Sequence, residues 1–460
     1  MQAFIGRNKA LFLILTAFFL VSCCLAATKD FPAVFDEGYH FALIDFYSGK
    51  VSPFISTQPE ELAMVGDATR LSSYLSHFFL GVPLWLTKIF TDDMFTQIVV
   101  LRFINVAAVM VALLLFYRFL VRLVGSNKIA SVAIGIYCLI PVTSQLSSTI
   151  NYDNWILLCF SVTCLIVQRL YTQVLRDNKI SFNLVVLLVS VLGVSSLVKY
   201  TFLPIAVAII AVILFFVVVR FIKRRPIKWS VAPVRRIILP ILVLLAVTGL
   251  VAERYGYNLY AYGSPQPDCA AVQPLEVCLQ YGPWARNYAL ATIAETKEFT
   301  GVSLPSYVVH LWLPISTQGL SYFGSNDTMV SLSLMVRDSI GVVISVLVLG
   351  VFVAFLRNNR QFMYIMLISV SGVFIITLVN YNYAEYMRFH EPIAIQGRYL
   401  LPLLIPVMAL GLVGLRTLYR SIVQTYNISR YLWISVDEMN LYQAYLFSKQ
   451  LWLTDSPRVR

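Results

Sequence analysis

The sequence predicts an all-α polytopic membrane protein with about ten transmembrane helices and interfacial helices in its outer loops. Three observations predict it. Of 460 residues, 59% are hydrophobic and only 13% charged, against about 25% charged in a soluble domain, and mean hydropathy is +0.76. Apolar runs of about 20 residues recur along the chain, the length that crosses a bilayer as a helix. The basic residues fall in short clusters between alternate runs, as cytoplasmic loops do. The net charge of +12 therefore reads as topology, with anionic membrane lipids as partners and no nucleic acid.

Taken in order, Arg7 and Lys9 precede an apolar run over 10–27. It is read as a retained signal anchor, although Leu20-Val21-Ser22-Cys23 has the form of a lipoprotein cleavage box. Residues 28–97 form a long polar-to-amphipathic segment. Within it Leu71–Phe90 carries His77, Pro83 and several serines, which suits an interfacial or re-entrant helix better than a span. Further spans are expected at 98–121, 129–148, 153–171, 182–199, 202–222, 237–253, 334–356, 362–380 and 399–419. The chain thus divides into a transmembrane domain over 1–419 and an amphipathic tail over 420–460, with Tyr431, Leu432, Trp433, Leu441, Tyr445 and Trp452 suited to a membrane surface.

Alternation from a cytoplasmic N-terminus puts Arg118, Arg122, Lys128, Arg169, Arg176, Lys179, Lys223, Arg224, Arg225, Lys228, Arg235, Arg236, Arg357, Arg360, Arg416 and Arg420 on the cytoplasmic side. Nearly all carboxylates before the tail fall on the other side, with Asp177 the exception. Both termini are then cytoplasmic, in a multi-pass protein of the cytoplasmic membrane. The outer face gathers the loops 28–97, 254–333 and 381–398 and the short turns at Asn151–Asn154 and Lys199–Thr201.

That face holds the candidate chemistry. Asp36, Glu37 and His40 follow the first span, where one helical turn would bring them together. A carboxylate in a partly dry cleft is a suitable general base, because desolvation raises its pKa. Outer loops are also commonly acidic. Asp153, in Asn151-Tyr152-Asp153, faces the same vestibule, and helix capping by Asn or Asp is the commoner use of such a turn. Lys199, beside Tyr200, interrupts an apolar stretch from Leu184 to Val219; it is either a ligand for phosphate or a lysine snorkelling from a turn. Arg388 and His390, then Gln396 and Arg398, enter the last span from outside, against the positive-inside trend, and an arginine fork suits phosphate oxygens. Arg254 and Arg286 read as solvated loop residues. Cys269 and Cys278 share an outer loop where a disulfide is chemically allowed, while spacing leaves the geometry open. Asn326-Asp327-Thr328 matches a glycosylation sequon, a frequent chance pattern. No P-loop and no Gly-x-Gly-x-x-Gly occurs, so an activated substrate has to come from elsewhere.

Four motifs carry a resemblance: Phe35-Asp36-Glu37-Gly38-Tyr39-His40, Asn151-Tyr152-Asp153, Val198-Lys199-Tyr200 and Gln396-Gly397-Arg398-Tyr399-Leu400-Leu401-Pro402. Over residues 9–418 the chain resembles the GT-C superfamily of integral membrane glycosyltransferases, and within it a poorly characterised bacterial group with Asp-Glu-x-x-His and Gln-Gly-Arg-Tyr-x-x-Pro stretches. The resemblance implies a polyprenyl-phosphate-sugar donor, an active site at the outer face and inverting transfer to an envelope glycan, lipid or protein. It implies Asp36 as the catalytic carboxylate with Glu37 beside it, Lys199 and Arg398 near the donor phosphate, and in some relatives a divalent cation, Mg or Mn. Phe35 departs from the proline common at that position, and the large soluble outer domain of some relatives is absent, which leaves the acceptor open. A transporter or flippase of lipid-linked sugars is the alternative; it calls for polar residues running through both faces, and here they cluster on one.

Overall fold

In a bilayer every backbone N–H and C=O has to be satisfied within the protein, and a helix does this locally. The apolar runs accordingly become helices. The computed structural model describes residues 8–223, 227–230, 233, 236–296, 298–323, 330–331, 334–358 and 362–426. In chain order the principal helices are α1 (Lys9–Thr28), α2 (Glu37–Tyr47), α3 (Leu75–Phe90), α4 (Met94–Val124), α5 (Asn127–Leu139), α6 (Pro141–Ser147), α7 (Tyr152–Asp177), α8 (Phe182–Val198) and α9 (Leu203–Ile222). They continue with α10 (Ile238–Val251), α11 (Gly282–Ala294), α12 (Leu313–Leu320), α13 (Leu334–Asn358), α14 (Phe362–Phe389) and α15 (Leu401–Tyr426). Strand among the described residues is limited to two pairs: Lys179–Ser181 parallel to Lys228–Ser230, and Tyr322–Phe323 antiparallel to Val330–Ser331.

The chain is an all-α polytopic membrane protein. Eight helices among the described residues are long and apolar enough to cross a membrane, or nine if α5 and α6 form one bent span. The expected ten differ in two places. The expected span at 129–148 breaks at Ile140-Pro141 and turns through 77°, because proline cannot donate to the preceding helix and starts a new one at its first position. The expected span at 182–199 is the 17-residue α8, at about 26 Å slightly shorter than a hydrocarbon core. Leu75–Phe90 is helical, within the stretch expected to be interfacial. Helix α15 runs on to Tyr426, across the expected boundary at 419. Beyond it the aromatic tail residues lie outside the described residues, as do Arg224, Arg225, Arg235, Arg360 and Asn326-Asp327-Thr328.

The largest core cluster joins α1, α4, α5, α7, α9, α14 and α15 through residues such as Leu113, Phe116, Phe160, Ile205, Leu367 and Ile405. Helices α13 and α15 meet backbone to backbone, since a methyl added at Gly350, Gly411 or Gly414 would strike the facing main chain. Small residues that admit such close approach are the usual means of helix association in membranes.

The chain leaving α1 is fastened to this bundle by one buried ion pair. Glu37 and Arg102 of α4 are both 0% exposed and meet in a fork, Nε to Oε1 at 2.8 Å and Nη2 to Oε2 at 2.7 Å. The remaining capacity of each is taken by backbone. Glu37 accepts from the Ala33 and Ile150 N–H groups, and Arg102 donates to the carbonyls of Ala26, Lys29 and Asp30. This corrects the expectation for Glu37, which has neither exposure nor a free lone pair for substrate and serves as a structural tie. Removing one partner strands the other charge, so Glu37→Ala is expected to cost about 3–5 kcal/mol, read as a large fall in the unfolding midpoint of the purified protein. A midpoint close to wild type would contradict this role.

Candidate functional site

The four sequence motifs meet at one end of the bundle. Phe35 and Asp36 take left-handed backbone, with φ of 68° and 62°, a conformation that is uncommon for bulky residues and that neighbouring structure has to hold. Asn151 helps to hold it. Its side-chain amide donates to the Phe35 carbonyl at 2.8 Å, while its oxygen caps α7 by accepting from the Asp153 N–H. The cap expected of this turn is therefore present, and it leaves the Asp153 carboxylate free for a second task.

That task is pairing with cations from two later segments. Lys199, in the turn between α8 and α9, donates to Asp153 Oδ1 at 2.5 Å. Arg398 donates from Nη2 to Asp36 at 3.0 Å and approaches Asp153 Oδ2 with Nε at 3.7 Å. Lys199 and Asp153 have side chains 6% exposed and Arg398 only 3%, whereas the Asp36 side chain is 52% exposed. The junction thus presents one carboxylate outward over a buried layer of paired charge. Rings close around it. The Lys199 ammonium lies 4.5 Å from both the Tyr152 and Tyr399 ring centres, and Arg398 stacks 4.8 Å from Phe35, arrangements that favour cations. Burial pulls the Lys199 pKa below its ordinary value, and Asp153 opposes this. Arg398 Nη1 and Nε and Asp153 Oδ2 have no hydrogen-bond partner among the described residues.

The last motif reaches this position through glycine. A methyl on Gly397 would collide with the backbone of Ser316, Gly319 and Leu320 in α12, and one on Gly319 would lie 2.6 Å from the Gly397 nitrogen. Two glycines in contact bring the turn before α15 close enough to aim Arg398 inward. Gln396 sits at the start of that turn with its Oε1 buried and without a partner among the described residues.

Other expected residues lie elsewhere. His40 Nδ1 is 2.8 Å from His77 Nε2 and its ring packs edge-on against Tyr152 at 4.5 Å, so it touches the wall of the junction. The Tyr200 N–H donates to Ser73, and its ring leans toward Tyr255 at 6.1 Å, away from the cluster. Arg388 and His390 line a separate cavity of about 350 Å³ with Ala291, Ala294 and Glu295, His390 stacking on Phe299 at 4.0 Å. They do not join Arg398 as expected, because the chain between them carries two left-handed residues, His390 and Ala394, that turn it away. Arg254 also departs from expectation. It is 1% exposed, donates to the Thr69 and Leu71 carbonyls and stacks on Tyr74 at 4.4 Å, pinning the segment that leads into α3. Cys269 and Cys278 are disulfide-bonded.

Sequence reasoning missed Arg102, whose signal was an arginine inside an apolar run, and Tyr399 and Tyr152 as cation-holding rings. Among the described residues no three His, Cys, Asp or Glu side chains gather to hold a metal. Asp36 and Asp153 are already matched by two cations, so these residues do not form a donor set for Mg or Mn. Comparison of the chain with protein-family models, curated proteins and solved structures returned no match.

Burial holds His40 well below the usual imidazole range, with His77, Arg398 and Lys199 adding to the effect. Burial takes His77 down to about 3. An unfolded histidine takes up its proton near 6.5, so between about 6.5 and 3 the unfolded chain binds more protons and stability falls with falling pH. Across pH 7 to 4.5 the unfolding midpoint should fall more steeply in wild type than in His77→Asn. Equal slopes would contradict a neutral buried pair.

Proposed function

We propose that the chain is a membrane glycosyltransferase of GT-C type, moving a sugar from a polyprenyl phosphate to a cell-envelope acceptor on the extracytoplasmic face. The observation that carries the reading is the convergence of Asp36, Asp153, Lys199 and Arg398 from four distant segments, with one carboxylate exposed and an arginine that has unmade donors beneath it. Such a layer suits a reaction in which a base and a leaving phosphate have to be neighbours.

In the proposed step Asp36 takes the proton of an acceptor hydroxyl. The hydroxyl oxygen forms a bond to the anomeric carbon from the face opposite the phosphate. The carbon–oxygen bond to the phosphate breaks with its electron pair, and polyprenyl phosphate leaves with the anomeric configuration inverted. Charge grows on the leaving oxygen, where Arg398 Nη1 and the Lys199 ammonium supply fixed positive charge in a dry surround, and electrostatic help of this kind is usually the largest catalytic contribution. Asp153 orients both cations and does not touch the reacting atoms. Its pairing with Lys199 keeps the ammonium in place when the donor is absent.

The test is sugar transfer in membranes of a strain lacking the gene, complemented with wild type or Asp36→Asn. The Asn variant is expected to insert and fold, to lose transfer by about 10²-fold or more, and to let the lipid-linked donor accumulate at the outer face. Full rescue by Asp36→Asn would remove Asp36 from the mechanism. Donor held at the cytoplasmic face would instead favour a flippase.

A further inference from the structure

Helix α7 runs from the Asp36 junction to the opposite end of the bundle. Asp153 lies in its first turn, while Gln168, Arg169 and Arg176 lie in its last three turns. At 1.5 Å per residue the two groups are roughly 22–35 Å apart along the axis, close to the thickness of a hydrocarbon core of about 30 Å. Helix α4 runs alongside in the same direction, Asn105 meeting Asn154 and Phe119 meeting Gln168, and brings Arg122 to the far end from its own last turn.

At that far end the helices separate around a cavity of about 1040 Å³. Arg122, Arg169 and Arg176 line it together with Gln168, Leu184 and Met363. Tyr171 forms a further wall, fixed by stacking on Phe362 at 4.9 Å. Arg169 and Arg176 are seven residues apart, two turns along one helix face. Among the described residues none of the three arginines forms an ion pair. Arginines near helix C-termini are common, as favourable partners of the helix dipole. That explanation covers a single solvated arginine better than three around one cavity. A second observation points inward. Gln168 is 6% exposed, its Nε2 donates to the Phe119 carbonyl at 3.2 Å, and its Oε1 has no partner among the described residues. Leaving a buried amide oxygen without a donor is unfavourable, and the cavity is the space from which a donor could come.

We propose that this cavity is a binding site for a glycerophosphate group. The three guanidinium groups take the phosphate oxygens, a glycerol hydroxyl donates to Gln168 Oε1, and Leu184 and Met363 receive the apolar part when the group belongs to a phospholipid. Basic pockets between membrane helices are a recurrent means of holding anionic headgroups. The site is independent of the Asp36 junction and stands whether or not the chain transfers sugars.

Binding to the purified full-length protein in detergent is measured with dioctanoyl phosphatidylglycerol, dioctanoyl phosphatidylcholine and glycerol 1-phosphate. Phosphatidylglycerol is expected to bind saturably, at least tenfold more tightly than phosphatidylcholine, whose ammonium opposes the arginines. Arg169→Ala/Arg176→Ala should weaken it tenfold or more, while Arg118→Ala/Lys179→Ala, on the same end but outside the cavity, leaves it unchanged. Gln168→Leu should lower the affinity for phosphatidylglycerol while affinity for dioctanoyl phosphatidic acid, which lacks the glycerol headgroup, is retained. Glycerol 1-phosphate binding as tightly as the lipid would assign the site to a soluble ligand, and its failure to compete would assign it to the membrane. Wild-type affinity in the Arg169→Ala/Arg176→Ala protein, an equal loss in the control pair, or no binding of either glycerophosphate compound would overturn the proposal.

Discussion

A guanidinium that is 3% exposed at the end of a helical bundle has lost nearly all its water, and several kcal/mol of hydration have to be replaced. Arg398 recovers this from two carboxylates that lie 362 and 245 residues away in sequence, Asp36 and Asp153. Neither carboxylate could approach unless the first loop, the cap of α7 and the entry to α15 were all brought to one point. Much of the fold at this end can be read as the means of bringing them there.

Each means is a different interaction. The Glu37–Arg102 fork fixes the first loop against the bundle, and the adjacent Asp36 stays exposed at its end. Asn151 ties the left-handed Phe35 to the start of α7. The Gly319–Gly397 contact sets how closely Arg398 can approach. Arg254, stacked on Tyr74, and the Cys269–Cys278 disulfide stabilise the loops around this end. The acidic pair after α1 is thereby divided between two roles. Glu37 is sealed into the bundle and Asp36 is left half in water, although they are consecutive in sequence.

This division explains how much could be read beforehand. Helices were legible because a membrane allows few alternatives to them, and the apolar runs mark them directly. The break at Pro141 was visible as a proline, whereas the 77° angle between the two helices was not. Asp36, Asp153, Lys199 and Arg398 were legible as polar residues where apolar ones were the rule. Whether neighbours such as Glu37, Tyr200, Arg388 and His390 join them depends on backbone turns of one or two residues, at Asp36, Lys199 and His390, which composition does not encode. Arg102 was overlooked because an arginine near the start of an expected span reads as a flanking charge, and only its partner Glu37 reveals its use.

We propose a phosphate-holding role for Arg398 and its ring-lined surround, beside Asp36. It is tested most directly by binding of farnesyl phosphate and of farnesol to the full chain, carried out in the Arg169→Ala/Arg176→Ala background so that the opposite end does not contribute. Saturable binding of the phosphate, little binding of the alcohol, and a loss of about tenfold or more in Arg398→Lys, which keeps the charge and removes the fork, are expected. Equal binding of phosphate and alcohol, or an affinity unchanged in Arg398→Lys, would contradict it.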